Sequence, residues 1–189
     1  MNGCDNKTDE ELLARIPKER ELFECIVVRY ESKLRRYLAR FMPGASDELD
    51  DILQEIFVKV YVNARGFDTS LKFSSWIYRI AHNEAVSWLR KKKSRPETVE
   101  LGEDDFHTFV ESIDVASDDE ESVLAKDEVS RVLAQVPEKY RTVLVLRFLE
   151  GKSYEEIGDI ITAPSGTVAT LIHRAKQHFS KIYQEQHEQ

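Results

Sequence analysis

The stretch Ser153–Phe179, "SYEEIGDIITAPSGTVATLIHRAKQHF", decides the fold. It contains two helical patterns separated by a turn. Ser153 and Glu156 form an S-x-x-E capping box, in which each side chain satisfies a backbone N–H that the first helical turn leaves unpaired. The helix they open runs through Ile160 or Ile161. "TAPS" (Thr162–Ser165) breaks it, and a second helix runs from about Gly166 to Tyr183. At about 100° per residue, Val168, Ile172, Ala175, Phe179 and Ile182 share one seam with steps of four and three, which is a core face. Gly166, Ala169, Thr170, His173, Arg174 and Gln177 fall on the other side. Ser165 stands where an N-cap belongs, with Pro164 just before it. The free N–H groups of that first turn suit a phosphate. A short helix, a tight turn and a longer helix with a basic outer edge describe a DNA-reading helix-turn-helix. On geometry alone, an ordinary helical hairpin with a solvated face fits the same residues.

The chain as a whole carries a formal net charge of −8 over 189 residues, whereas a DNA partner favours a basic protein. The charge is unevenly placed. Residues 1–95 hold 18 Lys and Arg against 15 Asp and Glu, and residues 129–189 hold 8 against 7. Residues 96–128 hold 1 against 13, so the acidity belongs to this middle segment. The flanks are near neutral or slightly basic, and the total does not exclude nucleic acid.

The middle segment, "PETVELGEDDFHTFVESIDVASDDEES", has no sustained period, and its like charges oppose compaction. It reads as a linker over 96–124, either a disordered tether or an acidic strand that mimics nucleic acid in a basic channel. On each side the pattern is helical. An N-terminal extension covers 1–19, with a short helix expected at "DEELLARI". One helical domain covers 20–95 and a second covers 125–189. Within the first, a helix spans roughly Arg20 to Phe41, stopped by Pro43-Gly44. The next is the clearest of all: Leu49, Ile52, Leu53, Ile56, Phe57, Val60 and Tyr61 form one apolar stripe between Asp47 and Tyr61. "RGFDTSLKF" is a loop, and Phe73 to Arg90 is helical again, closing on "RKKKSR". In the second domain a helix runs from Ala125 to Val136. Another runs from Pro137 to about Leu149, with Tyr140, Val143, Leu144 and Phe148 facing inward. The fold class is all-α, two small helical domains joined by an acidic flexible linker.

Several function classes drop out. Cys4 and Cys25 show neither metal spacing nor a disulfide framework, and they fit a reducing compartment. No histidine pairs with Cys, Asp or Glu at metal spacing, and neither a cofactor motif nor a nucleophile–base pair is present, so no catalytic residue is assigned. No apolar run of signal-peptide or membrane-spanning length occurs, and a cytoplasmic protein without membrane insertion is expected. One cluster stands out. "KFSSWIYRIAHNEAVSWLRKKKSR" sets Phe73, Trp76, Tyr78 and Trp88 among Lys72, Arg79, Arg90, Lys91, Lys92 and Lys93. Aromatic platforms beside cations suit unstacked bases on a charged groove. Trp76, Ile77, Ile80 and Trp88 also fit a plain helix core. Asn83 can hydrogen-bond a base edge.

These stretches together resemble a bacterial RNA polymerase sigma factor of the extracytoplasmic-function (ECF) group of the sigma-70 family. Three motifs carry the resemblance, over about residues 20–95 and 125–183. "DDILQEIFVKVY" is similar to the family's helix that docks on the polymerase clamp, "FSSWIYRIAHNEAVSWLRKKK" to its promoter-melting segment, and "VPEKYRTVLVLRFLEGKSYEEIGDIITAPSGTVATLIHRAK" to its domain 4. The resemblance implies a dissociable specificity subunit without cofactor, whose partners are core RNA polymerase (clamp and flap regions), promoter DNA and an anti-sigma factor. It implies core-polymerase binding by Asp51, Gln54, Glu55 and Phe57. It implies minus-10 DNA contacts by Phe67, Lys72, Trp76, Arg79, Asn83, Lys91, Lys92 and Lys93, with "RGFDTSLKF" beside them for a flipped base. It implies minus-35 contacts by Ser165, Thr167, Thr170, His173, Arg174 and Lys176. The linker would thread toward the RNA exit path, which favours the nucleic-acid mimic. The chain departs from the family at Ala169 and Leu171, where basic residues are usual in a Lys-Ser-Arg pattern and the triplet here is Ala169-Thr170-Leu171, and at Ser165, where a small apolar residue is common. Fewer cations mean fewer phosphate or guanine contacts. A two-domain operator-binding regulator would need a dimerisation seam or effector pocket, which the sequence does not offer. It would also leave the "DDILQEIF" face without a use.

Overall fold

A computed structural model of the chain describes residues 4, 6–43, 45–93 and 129–187. The linker expected over 96–124 lies outside the described residues. Among those described, every regular element is helical. The chain divides into two compact units, Met1–Arg35 with Asp47–Pro96, and Arg36–Ser46 with Glu97–Gln189.

The first unit opens with α1 (Asp9–Arg15), the short helix read in "DEELLARI". Thr8 caps it with a capping box that the sequence reading did not note. The Thr8 Oγ1 accepts from the Glu11 N–H at 3.2 Å, and a Glu11 carboxylate oxygen accepts from the Thr8 N–H at 2.9 Å. Leu12, Leu13 and Ile16 of this segment are fully buried. A 3₁₀ turn at Arg20–Leu22 leads into α2 (Phe23–Phe41), which belongs to the first unit as far as Arg35, and the chain re-enters that unit at Asp47, in a second 3₁₀ turn at Ser46–Glu48 that leads into α3 (Leu49–Asn63). The apolar stripe of α3 behaves as its spacing predicts at Leu49, Ile52, Leu53, Ile56, Phe57 and Val60, all buried. Tyr61 departs from the stripe and is partly exposed, its ring set edge-on to Phe23 at 5.2 Å. After a 3₁₀ turn at Ala64–Gly66 and the loop that follows, α4 (Phe73–Lys93) packs on α3 through Ile77, Ala81 and Ala85.

Cys4 and Cys25 form a disulfide, with their Cα atoms 5.6 Å apart, contrary to the reading from spacing alone. That separation lies in the range a disulfide requires. The reason is tertiary: docking of α1 carries residue 4 back onto α2, which a sequence separation of 21 does not encode.

In the second unit, residues 129–135 form α5. Pro137 opens α6 (Glu138–Leu144), which continues as a π turn over Val145–Leu149. Then come α7 (Tyr154–Ile161) and α8 (Ser165–His187). The core lies between α6, α7 and α8, where Tyr140, Val143, Leu146, Ile157, Ile160, Val168, Ile172 and Ala175 are buried. The Arg141 guanidinium donates to the Val136 carbonyl at 3.2 Å, and its burial pulls its pKa down to about 10. Phe148 faces outward with 53% of its surface exposed, not inward as an unbroken α-helical period would have it. The π turn is the cause. Its hydrogen bonds skip one residue further, as in Glu150 N–H to the Val145 carbonyl at 3.0 Å, so residues after Val145 rotate off the α-helical wheel.

Candidate nucleic-acid interface

The helix-turn-helix is built by local chemistry. The Ser153 Oγ accepts from the Glu156 N–H at 3.2 Å, and a Glu156 carboxylate oxygen accepts from the Ser153 N–H at 2.9 Å, the predicted capping box. The helix stops at Thr162, which sits in the left-handed region at φ 57°, a conformation disfavoured for a β-branched residue. The Ala163 N–H then donates to the Gly158 carbonyl at 2.9 Å. Gly158 is there because nothing larger fits: a Cβ on it would lie 2.6 Å from the Ala163 carbonyl oxygen. The turn thus pulls its own backbone against α7, and this aims the start of α8. Pro164, not Ser165, occupies the cap, its carbonyl accepting from the N–H groups of Thr167 at 2.9 Å and Val168 at 3.1 Å. Ser165 is the first helical residue. A proline whose carbonyl starts the ladder, and which has no N–H of its own to satisfy, performs the role assigned to serine.

On α8, Val168, Ile172 and Ala175 are buried, while Phe179 and Ile182 are half-buried further along the seam. Gly166, Thr167, Ala169, Thr170, His173, Arg174 and Gln177 are exposed. At about 100° per residue, Thr167, Thr170, His173, Arg174 and Gln177 share one outer face. The Thr170 hydroxyl donates back to the Gly166 carbonyl at 3.0 Å, and the Gln177 amide lies 3.2 Å from His173 Nε2. Ser165 and Lys176 fall on the flank nearer the core seam. Lys176 places its ammonium 5.1 Å above the ring of Phe148, so the outward turn of Phe148 provides that lysine with a cation–π partner.

The second cluster sits at the start of α4. Phe67, Phe73 and Trp76 pack as one aromatic group, with centroids 5.0 Å apart for Phe67–Trp76, 5.9 Å for Phe67–Phe73 and 5.8 Å for Phe73–Trp76. Phe73 is fully buried, whereas Phe67 and Trp76 keep part of their surface open. The loop before α4 is tied by Asp68, whose carboxylate accepts from the Ser70 N–H at 2.9 Å. The Ser70 backbone and side-chain hydrogen bonds hold that carboxyl below its ordinary pKa. Lys72, Trp76, Arg79 and Asn83 follow one another by four, three and four residues, and so lie along one side of α4. Arg90 continues the same stripe seven residues on. Asn83 and Arg90 are exposed, and Arg79 is half-buried. Lys91 lies about a quarter turn from this side, toward the groove between α3 and α4. Lys92 stands apart, its ammonium 4.6 Å above the ring of Trp88, which is itself only half-buried. Lys93 is the last residue of α4.

The third face is on α3. Asp51, Gln54 and Glu55 are exposed. Phe57 is buried on the core side of the same helix, edge-on to Phe23 at 6.3 Å. Two residues absent from the sequence reading extend the face down the helix: Val58, 53% exposed, and Val62, 68% exposed. Their signal was present as apolar residues off the core stripe. Asp51 and Glu55 also border a groove of about 300 Å³ between α3 and α4, where Lys59 pairs with Glu84 and Trp88 and Lys91 form the far wall.

Two family models match the chain: Sigma-70 region 2 over residues 26–95, and Sigma-70, region 4 over residues 126–179. Among curated proteins, the ECF RNA polymerase sigma factor SigW of Bacillus subtilis is 36% identical over 170 residues, spanning 86% of this chain and 89% of its own length. The RNA polymerase sigma-H factor of Pseudomonas aeruginosa is 33% identical over 183 residues, spanning 93% of this chain and 94% of its own. Among solved structures, CnrH in complex with the cytosolic domain of CnrY is similar with a TM-score of 0.69 at 20% identity, over 94% of this chain and 97% of that one. The sigma factor RpoE of Bartonella quintana, in complex with the anti-sigma factor NepR, is similar with a TM-score of 0.67 at 17% identity, over 86% of this chain and 96% of that one.

Proposed function

The chain belongs to the sigma-70 family, in its ECF group, and from that membership we propose which of its faces carries each part of the work. It binds core RNA polymerase and directs promoter-specific initiation, with melting at the minus-10 element and recognition at the minus-35 element. Domain 2 covers residues 20–95 and domain 4 covers 125–189. The acidic linker, 96–124, threads toward the RNA exit path.

The observation that carries the reading is the side of α4 where Lys72, Trp76, Arg79 and Asn83 line up beside the half-open Phe67–Trp76 pair. An open aromatic edge takes an unstacked base, an amide reads its edge, and the flanking cations hold the backbone. Lys91, Lys92 and Lys93 steer the phosphate chain toward this side. Asp51, Gln54 and Glu55 present an acid-and-amide surface to a basic clamp, with Val58 and Val62 as its apolar extension and Phe57 holding the helix from its core side. On α8, Thr167, Thr170, His173 and Arg174 enter the major groove, while Ser165 and Lys176 meet the phosphates beside it. One strong cation on the reading face implies weak DNA affinity for the free protein, completed by polymerase. The protein carries no catalysis of its own. An anti-sigma factor is the expected inhibitor, masking both domains.

The test is a reconstituted transcription assay with core polymerase on genomic fragments. Folded protein should direct initiation from a subset of fragments. Failure to direct any, with no inhibitor present, would refute the assignment.

A further inference from the structure

The N-terminal extension has no part in the functions above, yet it is tied tightly to the start of α4. Cys4 is bonded to Cys25, which is 4% exposed on α2. Arg29, one turn along α2, donates to the carbonyls of Cys4 and of Lys7, the latter at 3.0 Å, and pairs with Asp9 at 2.6 Å. The Tyr30 hydroxyl donates to the other oxygen of Asp9 at 2.5 Å. Leu12, Leu13 and Ile16 fix the buried side of α1. Glu10, held between these anchors, accepts from the Phe73 N–H at 2.8 Å. That N–H is the first of α4, an orphan donor that the helix cannot satisfy itself. A carboxylate at this end also complements the helix dipole.

We propose that Cys4 and Cys25 are a reversible thiol–disulfide pair whose oxidation locks α1 in place and, through Glu10, sets the base-capturing end of α4. The proposal rests on the reading of α4 as the minus-10 element. The co-reactant is a low-molecular-weight disulfide, RSSR. Cys4 is the partly exposed member and the point of entry. Its thiolate attacks one sulfur of RSSR, forming a Cys4 mixed disulfide and expelling RS⁻. The Cys25 thiolate then attacks the Cys4 sulfur and expels the second RS⁻. The protein pair loses two electrons, which RSSR gains, and the two thiol protons end on two RSH. Excess external thiol runs the same steps backward.

Reduction leaves α1 and the residues before it held by apolar contacts, the Asp9 bonds and the Arg29 bonds to the Cys4 and Lys7 carbonyls, without the covalent tie, and its fluctuations free the Phe73 N–H more often. The full-length protein is prepared with glutathione disulfide or with dithiothreitol and compared in three ways. Mass spectrometry after iodoacetamide should show no adduct on the oxidised protein and two on the reduced. Hydrogen exchange at the Phe73 amide should be on the order of tenfold faster in the reduced form, because a cross-link between residues 21 apart no longer restricts the segment. Open-complex formation with core polymerase should fall severalfold on reduction. Cys4→Ser should sit at the reduced level under both conditions. Glu10→Ala should lose the redox response while keeping redox-dependent alkylation. Two adducts after oxidation, or equal Phe73 exchange in both states, would overturn the proposal. Redox-dependent alkylation and exchange with no initiation in either state would refute the sigma reading of α4 and leave the thiol pair standing.

Discussion

Replacing Gly158 with alanine should damage the helix-turn-helix in a way that helix propensity would not forecast. Alanine is better than glycine inside a helix by about 1 kcal/mol, so propensity alone makes Gly158→Ala stabilising. The geometry says the opposite. The new methyl would lie 2.6 Å from the Ala163 carbonyl oxygen, and reaching ordinary van der Waals contact requires a shift of about 0.8 Å. The obstacle is backbone, not the end of a flexible side chain, and that backbone also makes the Ala163-to-Gly158 bond at 2.9 Å. Overpacking of this kind costs about 1–3 kcal/mol, and a clash with backbone falls in the upper part of that range, about 2–3 kcal/mol, so the net loss should be about 1–2 kcal/mol after the propensity gain. For a unit of this size each kcal/mol moves the midpoint by about 4–8 °C, so the C-terminal transition should fall by about 4–16 °C. Calorimetry on the full chain reads this. Gly166→Ala supplies the contrast, because a Cβ there meets nothing within 4 Å and should be neutral or mildly stabilising. The movement should also tilt α8, so minus-35-dependent initiation should drop more than stability alone explains. A midpoint for Gly158→Ala equal to or above that of the parent would refute the close-approach argument.

Three further outcomes are expected. Thr162→Gly should raise stability by about 0.5–1 kcal/mol, since glycine takes the left-handed conformation without the Cβ clash; an unchanged denaturation midpoint would contradict the strain at φ 57°. Arg174→Ala should weaken minus-35-dependent transcription more than Gln177→Ala does, and equal effects would place the reading face elsewhere on α8. Joint alanine substitution of Gln54 and Glu55 should reduce core-polymerase affinity with helicity intact by circular dichroism, and Val58→Asp with Val62→Asp should do so as strongly; undiminished affinity in both would count against the α3 face.

The parts of this fold that were legible in the sequence are those fixed by neighbours. The Ser153–Glu156 box and the stripes of α3 and α8 depend on residues three or four apart; the box formed as read, and so did the stripes except at Tyr61, which is partly exposed, and at Phe179 and Ile182, which are half-buried. The Thr8–Glu11 box is equally local and was simply passed over. What escaped depends on partners distant in sequence or on backbone register. No spacing rule joins Cys4 to Cys25, because their meeting follows from the burial of Leu12, Leu13 and Ile16. The same docking brings Glu10 to Phe73, across 63 positions. Phe148 was misplaced because hydropathy carries no sign of a π turn. Ser165 lost the cap to Pro164 because the capping preference describes side chains, and here a backbone carbonyl suffices. On the candidate interfaces, exposure of Thr170, His173 and Arg174 followed from the wheel. The sideways turn of Lys176 onto Phe148 did not, since it depends on the same π turn.

That π turn has a consequence for reading relatives of this chain. Five residues fill a space where an α-helix would use fewer, so the segment behaves as an α-helix that has absorbed one inserted residue without unwinding. A gap-free alignment to a chain with a regular helix there would be out of register by one position on one side of Val145–Leu149. Deleting Phe148 should restore the regular ladder and leave Glu150 and the turn after it in place. It would also strip Lys176 of the ring beneath its ammonium, and so couple a silent change of helix length to the flank of the DNA-reading helix.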